Sequence, residues 1–351
     1  MDAASLTDAP LLVVKIGSSL VAGGAPFSAD GLAADLAARE GASVVVSSGA
    51  VALGLAVRPA LAKQGLPGKQ ALSAIGQPRL MRLWEAALGG QGLGSAQVLL
   101  TPDVTDDRAR YLNARAALRT LLGAGVVPVV NENDAVATDE IRYGDNDGLA
   151  ARVAGLIGAD GLVLLSDVDG LYTAPPDAPG AAHVPRVGAG EGDAARAYAG
   201  GTGTSGLGTG GMRSKVAAAT LAASWGVPTL IASGRTARPL SALRAGARAT
   251  LFEADRGAPA RRRWLAGTKA RQGAVEIDEG AAAALRRGAS LLAVGVTSVT
   301  VPFRRGEVVE ARAGGRVVAY GLAACAADAV TRGAAKVVLH RDDLVVGTDD
   351  D

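Results

Sequence analysis

Two lysines stand next to glycine-rich turns, where a cation and inward-turned backbone N–H groups could together hold a phosphate. Lys15 sits in the apolar run 11–16 and is followed at once by Gly17, Ser18 and Ser19. Lys215 lies just past the stretch GTGTSGLGTGG at 201–211. Glycines let N–H groups point at phosphate oxygens, a helix opening at Met212 adds the positive end of its dipole, and Lys215 falls in the first turn of that helix. The same composition would also serve a flexible linker. A dinucleotide fingerprint needs a preceding strand and an acid about 20 positions on. The segment 191–199 reads as helical or irregular, and the region of Trp225 and Gly226 carries no acid. The lysine spacing is not that of a P-loop either. As for Lys15, a lysine in a buried-type strand costs desolvation unless it has a partner. It could snorkel from the strand end, but immediately before Gly17 it is placed to meet an anion held by that turn.

Carboxylates and amides gather at two further points. Asn131, Glu132, Asn133 and Asp134 follow an apolar run, and Gly144, Asp145, Asn146 and Asp147 precede a helical pattern. One helix cap is worth about 1 kcal/mol and needs one such residue, not two clusters of them. The carboxylates cannot meet phosphates directly, but they can hold lysines in place and, together with the amides, bind the ammonium of an amino acid. Ser166 and Asp167 end another apolar run and could form an ordinary turn. Ser47, Ser48, Gly49 and Ala50 lie at a strand-to-helix junction without the spacing of a nucleophile elbow.

Composition narrows the chemistry. The chain has 36 lysines and arginines together, of which six are lysines, so a lysine in a special place is informative. With one cysteine, Cys325, neither an internal disulfide nor a cysteine-based zinc cage is possible, and two histidines, His183 and His340, are too few for a His-rich metal centre. No resident metal site is expected. A net charge of +2 and 3% aromatics offer neither a broad basic field nor stacking platforms for nucleic acid. No apolar run reaches membrane-spanning length, and the first ten residues lack the basic start of a signal peptide. A cytoplasmic protein is expected.

The elements that must position these groups alternate. Strand-like runs at 11–16, 43–47, 95–100, 126–130, 161–165, 228–231 and 249–252 are separated by helical patterns at 30–39, 69–88, 107–122, 147–157 and 212–225. That alternation predicts an α/β fold with a mostly parallel central sheet sandwiched by helices. In such a sheet ligands bind beyond the carboxyl ends of the strands, where the polar clusters lie. The character changes after Phe252. A polar linker at 255–270 leads to a small, mainly β domain at 271–348, leaving 8–254 as the larger α/β domain that carries the polar clusters. Within the tail, strands are predicted at 274–277, 291–294, 298–301, 307–311, 317–320 and 336–339, and a helix at 280–287.

Together these residues resemble the amino-acid kinase family, in its branch that phosphorylates the side-chain carboxylate of L-glutamate. The resemblance covers nearly the whole chain: VVKIGSS at 13–19, VVSSGAVALG at 45–54, QALSAIGQPRLMRLWE at 70–85, YLNARAALRTLL at 111–122, VPVVNENDAVAT at 127–138, GDNDGLAA at 144–151, SGLGTGGMRSK at 205–215 and HRDDLVV at 340–346. The tail is similar to a PUA module, including IDEGAAAAL at 277–285. The resemblance implies an ATP-dependent phosphotransfer that opens proline biosynthesis, with magnesium carried by the ATP phosphates. It implies Lys15, Lys215 and Asp147 as the catalytic set. It implies nucleotide contacts from Lys15, Gly17, Ser166, Asp167, Gly208, Thr209, Gly210, Gly211, Met212 and Lys215. Ser48, Asn131, Asp134, Asp145 and Asn146 match positions that bind glutamate. Feedback inhibition by proline, a homo-oligomer and functional partnership with glutamyl phosphate reductase are also implied. The weak charge and few aromatics argue against RNA binding by the PUA-like module.

Overall fold

The computed structural model describes residues 2–23, 27–101, 104, 108–136, 146–199, 211–254 and 272–346. The chain divides into two compact units, one of residues 1–104 and 112–256, the other of residues 105–111 and 257–351. In the first, the elements run α1 (Ala3–Thr7), β1 (Leu11–Ile16), α2 (Ser18–Val21), α3 (Ala29–Ala37), β2 (Ala42–Ser47), α4 (Ala50–Leu55), α5 (Gly65–Gly89), β3 (Gly94–Leu100), α6 (Arg108–Gly123), β4 (Val126–Glu132), α7 (Asn146–Ile157) and β5 (Gly161–Ser166). They continue with β6 (Leu171–Tyr172), β7 (His183–Val184), β8 (Arg186–Val187), α8 (Gly192–Tyr198), α9 (Met212–Ser224), β9 (Thr229–Ser233), α10 (Pro239–Arg244) and β10 (Ala249–Phe252).

Eight strands form one sheet in the order β3-β4-β2-β1-β5-β9-β10-β8. From β3 to β9 the pairings are parallel; β10 runs antiparallel to β9, and β8 runs parallel to β10. This is the expected α/β class. Because successive residues of a strand face opposite ways, Leu12, Val14 and Ile16 of β1 share one face with Leu6, Leu32, Leu36, Leu80, Trp84 and Leu240 from the covering helices. Val13 and Lys15 face the other way, where α7 packs on β1. Parity alone thus puts Lys15 under α7. The carboxyl ends of β1, β2, β4 and β5 then deliver Gly17, Ser48, Glu132 and Ser166 to one edge of the sheet.

Helices α4 and α5 meet through glycines. A Cβ on Gly54 would lie 1.9 Å from the Leu72 carbonyl oxygen, and one on Gly76 would lie 1.7 Å from that of Ala50. Neither contact leaves room for a methyl group. The close approach carries the polar residues of α5, Ser73 and Gln77, toward the ends of β2 and β4.

Several short elements, among them α1, α2, α10, β8 and the helix Ala327–Thr331, have no counterpart in the sequence pattern. The segment 173–186, which has no readable pattern, contains part of the β6–β7 pair, whose strands are too short for alternation to register. The segment 191–199, read as helical or irregular, holds α8, in keeping with the first of those readings. In the second unit the last strand runs on to Val346, whereas the sequence pattern ends it at 339.

That second unit is a six-stranded sheet in the order β12-β16-β15-β14-β11-β13, built from β11 (Gly273–Ile277), β12 (Leu291–Leu292), β13 (Val296–Val301), β14 (Val308–Ala313), β15 (Arg316–Ala323) and β16 (Val337–Val346). Helices Glu279–Arg286 and Ala327–Thr331 accompany it. Its core includes Val275, Val309, Ala311, Val318, Leu339 and Leu344. His340 and Arg341 break the apolar pattern in β16, but a register shift lets pairing with β15 resume at Leu344. The expected linker at 255–270 and the residues past 346 lie outside the described residues.

A glycine-to-alanine change inside a helix ordinarily gains about 0.5–1 kcal/mol. At Gly76 the sign should reverse, because the new carbon must drive α4 and α5 apart. We expect Gly76→Ala to lose about 1–3 kcal/mol in urea unfolding. Unchanged or higher stability would contradict the tight helix contact.

Candidate active site

The charged centre of the sheet edge is Asp147, in the first turn of α7, with a fully buried side chain. Lys15 Nζ from β1 lies 2.6 Å from Oδ1, and Lys215 Nζ from the first turn of α9 lies 3.1 Å from Oδ2. Burial by itself pushes this carboxyl up, but the two lysines outweigh it and hold Asp147 below the usual carboxylate range. The N-terminal end of α7 favours the same negative charge. Two ammonium groups thus flank one carboxylate, and N–H donors on such groups can also meet the oxygens of an anionic ligand.

Around this triplet the backbone is open. A Cβ on Gly17 would stand 3.9 Å from Lys15 Nζ and 3.8 Å from the Leu165 carbonyl oxygen, so the fold tolerates a larger residue there and the glycine keeps space above the lysine. Gly211 is the N-cap of α9, directly before Met212. On the neighbouring strand Ser166 Oγ donates to Asp167 Oδ1 at 3.0 Å, and the Ser166 carbonyl accepts from Gly234 N–H at 2.7 Å. Gly208, Thr209, Gly210 and Asp145 lie outside the described residues.

The second cluster is made of amides and hydroxyls. Asn146, adjacent to Asp147, turns its side chain the other way. Its Nδ2 donates to Ser48 Oγ at 2.8 Å and to Asn131 Oδ1 at 3.2 Å. Asn131 Oδ1 also accepts from Glu132 N–H at 2.9 Å, and Asn131 Nδ2 donates to Gln77 Oε1 at 2.9 Å. Asn146 Oδ1 is buried and has no hydrogen-bond partner among the described residues. Asp134, 7% exposed, accepts from Ser73 Oγ at 2.6 Å. Burial raises its pKa, and the Ser73 hydrogen bond opposes the rise. Beneath Ser48, Trp84 Nε1 donates to Ser47 Oγ at 2.9 Å, tying the end of β2 to α5.

The structure therefore brings Lys15, Lys215 and Asp147 into one cluster and Ser48, Asn131 and Asn146 into a second, joined at the first turn of α7. Ser73, Gln77 and Trp84 escaped the sequence reading. Their signal was faint: two polar residues one turn apart in an apolar helix, with an indole donor further along the same face.

The chain belongs to the amino acid kinase family. The family model matches residues 10–233, and a PUA domain model matches residues 273–345. Among its relatives is the glutamate 5-kinase of Caulobacter vibrioides, 52% identical over 328 residues, a match covering 89% of this chain and 86% of the relative. The glutamate 5-kinase of Sphingopyxis alaskensis is 52% identical over 346 residues, covering 95% and 91%. That of Rhodopseudomonas palustris is 44% identical over 371 residues, covering 98% of both chains. In architecture the chain is similar to a carbamate kinase from Giardia lamblia bound to AMP-PNP, with a TM-score of 0.52 at 16% identity, covering 71% of this chain and all of that one. Among the described residues no helix is long and apolar enough to cross a membrane.

The upward shift of Asp134 has a consequence for stability. The folded state keeps the Asp134 proton to higher pH than the unfolded chain, so stability falls as pH rises from about 3.8 through the folded value. Each unit of such a shift is worth about 1.4 kcal/mol. Asp134→Asn, which keeps a partner for Ser73 but cannot ionise, should be more stable than wild type at pH 7. The difference should shrink toward pH 4 in paired thermal melts; a less stable variant at pH 7 would contradict the burial argument.

Proposed function

We propose that the chain transfers the γ-phosphoryl group of ATP to the side-chain carboxylate of L-glutamate, giving L-glutamyl 5-phosphate, the first intermediate of proline biosynthesis. The carrying observation is that the consecutive residues Asn146 and Asp147 turn to different clusters, one neutral and one cationic. The first turn of α7 thus touches both clusters, which supports an acceptor site beside a phosphate site. The names of the relatives support glutamate as the acceptor.

In the reaction a carboxylate oxygen of glutamate attacks Pγ, and the bond from Pγ to the β–γ bridging oxygen breaks. ADP leaves with the electron pair. No proton moves, so no general base is needed, and neither His183 in β7 nor His340 in β16 is called upon. The difficulty is repulsion between two anions, and the answer is alignment with charge neutralisation. Lys15 and Lys215 take the phosphates, and Asp147 fixes both lysines at once. Gly17, Gly208, Thr209, Gly210, Gly211 and Met212 border the nucleotide with their backbone, and Ser166 and Asp167 lie toward the nucleoside. Ser48, Asn131, Asp134, Asp145 and Asn146 bind glutamate. Both oxygens of Asp147 are engaged by lysines; magnesium carried by the ATP phosphates would supply further charge neutralisation there.

Asn146 Oδ1, which has no partner among the described residues, favours an acceptor that brings a donor, such as an ammonium, over an acylated amino acid. We assign 8–254 to catalysis, 255–270 to a linker and 271–348 to the PUA-like domain. The setting is the cytoplasm, where ATP and glutamate meet. Proline is the proposed feedback inhibitor, the enzyme a homo-oligomer, and glutamyl phosphate reductase the consumer of the labile acyl phosphate.

Hydroxylamine traps acyl phosphates as hydroxamates. Purified protein with MgATP and glutamate should yield glutamate-dependent hydroxamate and ADP in equal amounts; product with aspartate or N-acetylglutamate but not glutamate would overturn the assignment. Lys215→Ala should lower kcat by about 100-fold or more, with little change in KM for glutamate. Wild-type turnover in that variant would defeat the role of Lys215.

A further inference from the structure

The amide groups near the acceptor cluster form a chain with one direction. Asn146 Nδ2 donates to Asn131 Oδ1 at 3.2 Å, Asn131 Nδ2 donates to Gln77 Oε1 at 2.9 Å, and Gln77 Nε2 donates to Gln97 Oε1 at 3.2 Å. A primary amide has a donor end and an acceptor end, so reversing one member of such a chain sets donor against donor at its neighbour. The sense is pinned at one point: Asn131 Oδ1 also accepts from the backbone N–H of Glu132, which cannot turn round. At the near end, Asn146 spends both Nδ2 hydrogens on Ser48 and Asn131. Its oxygen is then the group left to face a ligand, and it has no partner among the described residues.

We propose that Gln77 is a positioning residue which, by holding the Asn131 amide, makes the acceptor pocket present a hydrogen-bond acceptor and so select a substrate bearing an ammonium group. The inference rests on the glutamate-kinase reading above and deepens it. Gln77 is suited to the task. It is 8% exposed, it sits on α5 where Gly54 and Gly76 bring that helix against α4, and its Oε1 meets the hydrogen that Asn131 turns away from Asn146. Ser73, one turn earlier on the same face, holds Asp134 in parallel fashion, so α5 reaches two proposed glutamate-binding residues with two neutral side chains. Without Gln77, Asn131 Nδ2 loses its buried acceptor. Asn131 must then leave that hydrogen unpaired or rotate, and rotation turns its NH2 toward the donors of Asn146 and Glu132. The rotation frees Asn146 to reverse and offer N–H groups where the ammonium binds.

The test compares glutamate with glutarate, which has both carboxylates and lacks the amino group. In the hydroxamate assay, Gln77→Leu should raise KM for glutamate about tenfold, leave KM for ATP unchanged, and shrink the glutamate-over-glutarate ratio of kcat/KM by a similar factor. Gln77→Glu, which retains an acceptor for Asn131 Nδ2, should recover most of that ratio. Gln77→Met substitutes for Gln77→Leu if the latter does not fold, and the same ratio decides. Equal losses on glutamate and glutarate, or a Gln77→Glu variant as unselective as Gln77→Leu, would overturn the proposal. Wild-type protein that forms no glutamate-dependent hydroxamate would instead overturn the underlying reading.

Discussion

The catalytic unit is organised by one buried carboxylate between two buried ammonium groups. Lys15, Asp147 and Lys215 come from β1, α7 and α9, and each would be costly to bury alone, since an unpaired charge taken out of water loses several kcal/mol of hydration. Mutual attraction at 2.6 and 3.1 Å offsets that cost only while all three stay in place. The requirement reaches far into the fold. Lys15 must fall on the face of β1 turned away from Leu12, Val14 and Ile16. The helix α7 must begin where Asp147 occupies its first turn, and α9 must pack on α7 so that its own first turn delivers Lys215. Lys15 is central because β1 is central, with β2 on one side and β5 on the other.

A second constraint is inherited by Asn146. Fixing Asp147 toward the lysines leaves the preceding side chain to face the ends of β2 and β4, where Ser48 and Asn131 receive it. The support behind them comes from α5, a helix that breaks local preferences to provide it. Gly68, Gly76 and Pro78 all lower helical stability in isolation. Gly76 is explained by contact, since no larger residue fits against the Ala50 carbonyl. Departures from local preference of this kind belong at sites where geometry outranks stability.

Much of this was legible in the sequence, and the reason is periodicity. Buried parallel strands write themselves as unbroken apolar runs, so β1, β2, β4 and β5 and the polar residues at their ends could be located directly. Lys15 and Lys215 stood out because arginine is the default cation of the chain. Gln77, Ser73 and Trp84 did not, because a polar residue in a helix normally reads as a solvated face, and only tertiary packing reveals that this face is buried. The pair β6 and β7 was invisible for another reason: two residues cannot display an alternation. In β16 the pattern lapses at His340 and Arg341 while the backbone ladder resumes beyond them, since pairing depends on N–H and C=O groups that every such residue carries.

The division between the two clusters has a physical logic for an acceptor that is itself a carboxylate. Cations beside the phosphates lower the repulsion that opposes attack, but a cation deep in the acceptor site would draw the nucleophile's charge away from phosphorus. In the proposed reading Ser48, Asn131 and Asn146 orient the acceptor without adding charge, and Gln77 orients them in turn. Asp134, held by Ser73 of α5, is a charged residue assigned to the same site in the proposed reading, and its burial raises the cost of keeping it ionised. An ammonium group arriving beside it would relieve that cost, so the binding energy of the correct substrate includes a penalty the empty protein already carries. A substrate without the amino group cannot collect it. Selectivity then comes from an unfavourable arrangement built into the free enzyme, in the same way that an unfilled hydrogen-bond acceptor discriminates against ligands with nothing to donate.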